Sequence, residues 1–407
     1  MLRIALVTYG SRGDTQPLLA LALALQTAGH EAFLAAPPEN AAWAARYGCD
    51  FQPLGVNLAE SLARFPDAHT LKAVPAMGQF LREQLRVQFE ELPAILKGVN
   101  LVLIASLAFS APSVAQALNV PYHYVLFCPQ IIPSRRHPSP LIRNQNLPAW
   151  LNRASWWLTV NFDPLGFMKI INNGRRRLGL SPVKTIASFL LHRPVLVASD
   201  PDLALVPDDI QGDYIQTGYW HLTQTGELSP ALMDFIAAGP PPVYIGFGSM
   251  PSQSPGKLSK LLLEAIRAAG QRAILAQGWA HLGGGLSGPD VFVADELPHE
   301  KLFPLVSAVV HHGGSGTTAT AARAGAVQII VPQVLDQYYW ANRVFSLGLG
   351  PRPIYFSRLR ETRLAAAIHQ AVTDREMRLR AESLARILKA RDGLKLAVGA
   401  LETLGRS

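Results

Sequence analysis

What the sequence lacks narrows it first. Only two cysteines occur in 407 residues, Cys49 and Cys128, and no Cys-x-x-Cys or Cys/His ligand spacing surrounds either. That excludes a disulfide framework and a cysteine-based zinc site, and two buried thiols are expected instead. Charged residues make up 16% of the chain against 49% hydrophobic ones, which excludes a disordered protein. No apolar run reaches the roughly 20 residues that a membrane-spanning helix needs. The short apolar run Met1–Tyr9 breaks into a Gly-Ser-Arg-Gly-Asp turn and lacks the h-region of a signal peptide, so a cytoplasmic location is expected. Neither a short repeat nor a low-complexity tract is present.

Acidic residues are the scarcer charge, and the net balance is +8. Such a balance suits nucleic acid, an anionic membrane surface or a polyphosphate ligand. The basic clusters are Arg135-Arg136-His137 and Arg175-Arg176-Arg177. No aromatic-interleaved RNA motif or finger spacing accompanies them, so nucleic acid is not expected. A solvated surface is the leading reading of these clusters, and peripheral contact with the inner face of a membrane is the lesser one.

What is present alternates between buried strands and helices. Residues 3–8 read as a strand, Pro17 starts a helix that stops at Gly29, and residues 32–36 form the next strand, a βαβ unit. Strands follow at 101–105, 122–127 and 194–198, with a helix at 110–118. The stretch 129–157, dense in Pro, Arg, Asn and Trp, reads as long loops. After Pro240-Pro241-Pro242 a second set begins: strands at 243–247, 272–276, 291–293, 308–310 and 327–331, and a helix at 257–269. A last helical stretch covers about 374–404. The expectation is an α/β protein with a first domain over 1–217, a linker over 218–230 and a second domain over 231–390. A C-terminal helix over 391–407 would pack back on the first domain. Two such units leave a cleft between them.

Polar turns close several strands. Val309-Val310-His311-His312-Gly313-Gly314-Ser315-Gly316-Thr317-Thr318 reads as strand, small-residue turn and helix start, a place where backbone N–H groups and the helix dipole favour an anion. Glycine in such a turn also has a purely conformational use. The other turns carry Ser11, Arg12 and Asp14; Gly246 to Ser249; and Asp336-Gln337. None fits a dinucleotide fingerprint or a P-loop. Asp336 and Gln337 have the donors and acceptors to bind neighbouring hydroxyls, though Asp336 equally suits the cap of a helix over 337–346. Asp14 suits either a helix start or a carboxylate base facing the cleft.

Together these segments resemble the inverting, nucleotide-sugar-dependent glycosyltransferases of GT-B fold, with two facing Rossmann-like domains. The glycopeptide-antibiotic (vancomycin-type) and sterol glucosyltransferase branches are the most similar. The matching residues run in order: Gly10 to Asp14 with Pro17, Gly29-His30, Pro240 to Ser249, Gln277-Gly278-Trp279, Val310 to Thr318, Pro332, Asp336-Gln337 and Gly348-Leu349-Gly350. The resemblance implies that Asp14 is the general base for the acceptor hydroxyl. It implies a diphosphate turn of His312, Gly314, Ser315, Gly316 and Thr317, with Arg12, Gly13 and Ser249 near the phosphates. Trp279 and the backbone near Leu297 would hold the nucleobase, and Asp336 and Gln337 the sugar.

No cofactor and no metal are implied, since a helix N-terminus, hydroxyls and an imidazole can stabilise the leaving diphosphate. UDP-glucose is the expected donor and a dTDP-sugar the runner-up. The acceptor would be lipophilic, such as a natural-product aglycone, sterol or glycolipid precursor. Phe127, Trp156 and Trp157 would line its site, in a region that also holds Trp150 and Phe167. Two alternatives stand beside it: a catalytically silent nucleotide-sugar-binding protein, against which the intact Asp14, His312, Asp336 and Gln337 argue, and a sugar-nucleotide epimerase on a similar two-domain fold, which uses different acid/base residues. The sequence assigns no oligomeric state.

Overall fold

The computed structural model describes residues 1–63, 74–163, 165–191, 193–210, 212–248, 254–278, 282–283 and 288–404. Twelve strands among them form two sheets. The first contains β1 (Arg3–Tyr9), β2 (Glu31–Ala36), β3 (Asp50–Pro53), β4 (Leu101–Ser106), β5 (Tyr122–Leu126), β6 (Val195–Val197) and β7 (Tyr214–Gln216). The second contains β8 (Val243–Gly246), β9 (Ala273–Ala276), β10 (Val291–Ala294), β11 (Ala308–His311) and β12 (Gln328–Ile330). The strand orders are β3-β2-β1-β4-β5-β6-β7 and β10-β9-β8-β11-β12, with parallel pairing throughout.

The near-continuous apolar strands follow from burial on both faces. Ile4 and Leu6 of β1 pack with Leu18 and Leu21, whereas Ala5, Val7 and Tyr9 pack on the opposite face with Val102 and Ile104. In the second sheet Val243 and Ile245 enter one cluster and Tyr244 the other. Both cysteines are buried and free.

The order of each sheet reverses once, between β1 and β4 and between β8 and β11. Crevices at the carboxyl ends of such strand pairs are where open α/β sheets bind ligands. Asp14 follows β1 and Ser106 ends β4; Gly248 follows β8 and His312 follows β11. The fold therefore aims these four positions at crevices before any chemistry is considered.

Three sequence expectations need correction. The helix after β1 starts at Arg12, not Pro17, because Ser11 and Asp14 form a capping box that nucleates it upstream. The stretch 129–157 is not all loop: Ala149–Asn161 is helical, starting after Pro148. The last stretch is two helices, Arg375–Ala390 and Gly393–Leu404, parted at Arg391. Gly393 lies at that turn against the segment after β7, where a side-chain carbon would come 2.6 Å from the Tyr219 carbonyl. The long helix Val74–Ile95 and the exposed edge strand β3 gave no clear sequence signal.

Contacts tie the two sheets together. Ala397 and Leu401 of the last helix join the cluster of Ile4 and Leu6. Arg391 pairs with Asp202 at 2.5 Å, and Arg343 Nε donates to the Leu203 carbonyl at 3.0 Å. Among the described residues no helix is long and apolar enough to cross a membrane.

Candidate active site

Asp14 occupies the third position of its helix. Its Oδ2 accepts from the Ser11 N–H at 2.8 Å and from the Ser11 hydroxyl at 3.1 Å. Its Oδ1 accepts from the Ser106 hydroxyl at 2.6 Å. Ser106 reaches it from the end of β4 with a left-handed φ of 54°, and the Tyr124 hydroxyl donates to the Ser106 carbonyl. Gly10 is required here, since an added Cβ would lie 2.4 Å from Asp14 Oδ2. Burial raises the Asp14 pKa, and the hydrogen bonds from Ser106 and Ser11 partly offset the rise. Asp14 thus both caps its helix and presents a carboxylate at the first switch point.

The paired histidines divide their work. His311 is fully buried, with Nε2 3.0 Å from Gln328 Oε1 and Nδ1 accepting from the Gly313 N–H at 3.1 Å. These partners place its proton on Nε2 and pin the turn. His312 points the other way: a Cβ at Gly248 would meet its Cε1 at 3.2 Å, and one at Gly314 its Nε2 at 2.5 Å. Its Nδ1 is buried and has no hydrogen-bond partner among the described residues. Both neighbouring glycines are therefore needed for the ring to fit between the two turns.

Gly314 caps the helix Ser315–Ala324, which has no acidic residue in its first turn. The positive end of its dipole stays uncompensated beside His312. Ser315, Gly316 and Thr317 are half-buried there. Burial lowers the pKa of His312 to about 4 and of His311 to about 3. Both rings are therefore neutral at pH 7, and neither adds positive charge to the helix start.

Arg12 crosses between the sheets. Its Nη1 bonds Glu296 Oε1 at 2.7 Å, and its guanidinium lies 4.9 Å from the Trp43 ring centre. Glu296 adjoins Leu297, which packs against the second sheet's core cluster. Gly13 is exposed beside Arg12. Ser249 and Trp279 lie outside the described residues.

Asp336 stands at the N-cap of the helix Gln337–Ser346, yet its side chain makes no capping hydrogen bond. Its pKa rises to about 7, first through burial and then through the negative charge of Asp14. The Trp340 indole N–H lies close enough to lower that value, but falls short of a hydrogen bond. Gln337 behaves differently from its neighbour. Its Oε1 accepts from the N–H groups of Gln333 at 2.8 Å and Val334 at 3.1 Å, so that oxygen shapes the turn.

The three aromatic residues expected around the acceptor face different surroundings. Phe127 packs edge-on against Trp220 at 6.4 Å. Trp156 is buried, donating from Nε1 to the His137 carbonyl at 3.1 Å, and Trp157 is exposed. A small recess with room for about one water molecule is lined by Tyr9, Leu107, Phe109 and Phe167 together with Gln84 and Gln88. Leu107 follows Ser106 directly, and its N–H donates to the Tyr9 carbonyl at 3.1 Å.

Several site residues escaped the sequence reading. Ser106 had a usable signal, a hydroxyl ending the buried run Leu-Val-Leu-Ile-Ala. His299 had none. Its Nε2 lies 2.8 Å from the Tyr244 hydroxyl, and burial, then Arg12 and His312, lower its pKa to about 4. Tyr219 comes from the segment after β7, and a Cβ on Gly316 would lie 2.8 Å from its hydroxyl.

Comparison with known proteins places this geometry. Residues 4–133 match the glycosyltransferase family 28 N-terminal domain. Residues 276–393 match the C-terminal domain of the erythromycin biosynthesis protein CIII-like family. The chain is 38% identical to the vancomycin aglycone glucosyltransferase of Amycolatopsis orientalis, over 97% of this chain and 96% of that protein. It is 33% identical to a sterol 3-beta-glucosyltransferase of Arabidopsis thaliana, over 98% of this chain and 67% of that protein. The solved structure of the kitacinnamycin glycotransferase shares the fold, with a TM-score of 0.77, 21% identity and 99% of each chain covered. The chain belongs to the GT-B glycosyltransferases, in the branch that holds the glycopeptide-antibiotic and sterol glucosyltransferases.

Proposed function

We propose that this protein transfers a hexose, glucose from UDP-glucose, to a hydroxyl of a lipophilic natural-product aglycone, sterol or glycolipid precursor, with inversion at the anomeric carbon. A dTDP-sugar is the second donor. The observation that carries the reading is that Asp14 at one switch point stands with the Ser315–Ala324 helix start at the other and with Asp336 after β12, in whose field it lies.

The chemistry follows from the two carboxylates. Each lies in the field of the other, so one ionises more readily. Asp14 accepts three hydrogen bonds, which favour its charged form. Asp336 lacks the capping bond its position offers, and takes the proton more readily. Asp14 is then the base: it removes the acceptor O–H proton as that oxygen bonds to the anomeric carbon. The bond from that carbon to the β-phosphate oxygen breaks, and the nucleoside diphosphate leaves with the electron pair. The reacting carbon passes through an oxocarbenium-like state, as in glycoside hydrolysis.

The growing charge on the diphosphate meets the N–H groups and hydroxyls of Ser315, Gly316 and Thr317, with His312 and Arg12 beside them. Ser249 and Gly13 complete the phosphate surroundings, and Trp279 and the Leu297 backbone hold the base. Asp336 exchanges hydrogen bonds with the sugar hydroxyls, while Gln337 acts through the turn that its Oε1 braces. The acceptor binds on the first domain's side of the cleft, where Asp14 lies. The chain divides at 218–230, and Gly393–Leu404 fastens the second lobe to the first.

Incubation with UDP-glucose and a panel of hydrophobic alcohols tests the reading. UDP release with a product heavier by one hexose is expected. Epimerised donor, or binding without turnover, would refute it.

A further inference from the structure

The helix Ala149–Asn161 is amphipathic in the reverse sense. Its inward face is largely polar: Asn152 donates to the Arg135 carbonyl at 2.9 Å, Ser155 accepts from the Ser139 N–H at 3.0 Å, and Thr159 donates to Ser139 Oγ at 2.6 Å. Its outward face is apolar. Trp150 is 68% exposed, Trp157 64%, Leu158 53%, and Phe162 just past the helix 70%. Trp150 and Trp157, seven residues apart, share one stripe of the helix, Leu158 borders it, and Phe162 extends from the helix end. A folded protein in water gains nothing from this arrangement, so the face fits a non-aqueous neighbour.

Charge identifies that neighbour. Between Glu91 and Asp200 the chain holds eleven lysines and arginines but one acidic residue, Asp163. Asp209 and Asp208 answer Arg135 and Arg136. Arg153, Lys169, Arg176 and Arg177 are exposed in the same segment. Arg153 stands three residues after Trp150 and four before Trp157, on the apolar stripe itself. Asp163 is exposed but already engaged, its carboxylate accepting from the N–H groups of Phe167 at 3.0 Å and Met168 at 2.7 Å. Tryptophan and phenylalanine beside unbalanced arginine suit the headgroup level of an anionic bilayer.

We propose that the Trp150–Phe162 face docks this protein on an anionic lipid bilayer. The same helix connects to the cleft. Trp156 holds the His137 carbonyl, and the His137 ring meets Tyr339, 5.7 Å away on the Gln337–Ser346 helix. Docking there brings the cleft to the membrane surface, where a lipophilic acceptor concentrates. Vesicle binding requires no sugar transfer, so this proposal can fail without the proposed activity failing, and the reverse.

Sedimentation with phosphatidylcholine vesicles, with and without phosphatidylglycerol, tests it. The full chain should bind vesicles containing phosphatidylglycerol and stay free of pure phosphatidylcholine. The triple variant Trp150→Ser, Leu158→Ser, Phe162→Ser should bind at least about tenfold more weakly. Arg153→Glu should weaken binding on the order of tenfold. Both should keep the wild-type circular dichroism spectrum and UDP affinity. Equal sedimentation with both vesicle types, or undiminished binding by the variants, overturns the proposal. So does a wild-type dimer in light scattering that the triple variant converts to monomer, since a second copy would then cover this face.

Discussion

Asp336 lies in the field of Asp14, and of the two carboxylates Asp336 is the one left without its capping hydrogen bond. Its pKa of about 7 stands above the usual carboxylate value of 3.8. A raised carboxylate pKa stabilises the fold below pH 4, and that contribution is lost as pH rises through about 7. Asp336→Asn should therefore be more stable than wild type at pH 8, by on the order of 1 kcal/mol, and no different near pH 3.5. Asp200, held near 6 by burial, adds a similar loss in both proteins. Urea denaturation across this range checks the result; the same difference at both pH values would contradict it. Transfer activity should fall while stability rises, as expected where a site stores strain.

Ser106→Gly suits the left-handed backbone at this position and removes only the hydroxyl. Asp14 then loses a hydrogen bond to its charged form, so its pKa rises further. The acid limb of the kcat/KM profile should move to higher pH. An unmoved limb would separate Ser106 from the base.

The two histidines should fail in different ways. His312→Ala should weaken UDP binding about tenfold with little loss of stability. His311→Ala leaves Gln328 Oε1 and the Gly313 N–H without their partner, and should cost about 1–3 kcal/mol of stability. Calorimetry with UDP and thermal melts distinguish them. Interchanged results would reverse the assignment.

Glu296→Gln breaks the ion pair that holds Arg12 across the cleft. Exposed pairs contribute little to stability, so the melting temperature should hold. Arg12 becomes free for the diphosphate, and UDP should bind tighter, by at most about fivefold. Weaker binding would show that Glu296 contacts the nucleotide itself.

The sheet strands were legible because parallel strands buried on both faces are short apolar runs, as in β1, β4, β8 and β11. The edge strand β3 was not, because only Phe51 in it is even half-buried and the other three residues are exposed. The glycine-rich turn after β11 could be read as an anion seat. The division between His311 and His312 could not, because it depends on Gln328 from the neighbouring strand. Asp14 was legible as either cap or base; the structure gives it the cap and, through Ser106 from β4, a place at the crevice. The reversed helix at Ala149 was hidden because its buried face is polar, which reads as loop.

The most direct test of the central claim compares wild type with Asp14→Asn, the substitution that keeps the shape but not the base. Hexose transfer from UDP-glucose to a hydrophobic alcohol should fall by about 10²–10⁴, with the UDP-glucose dissociation constant unchanged. Transfer at the wild-type rate would contradict the account.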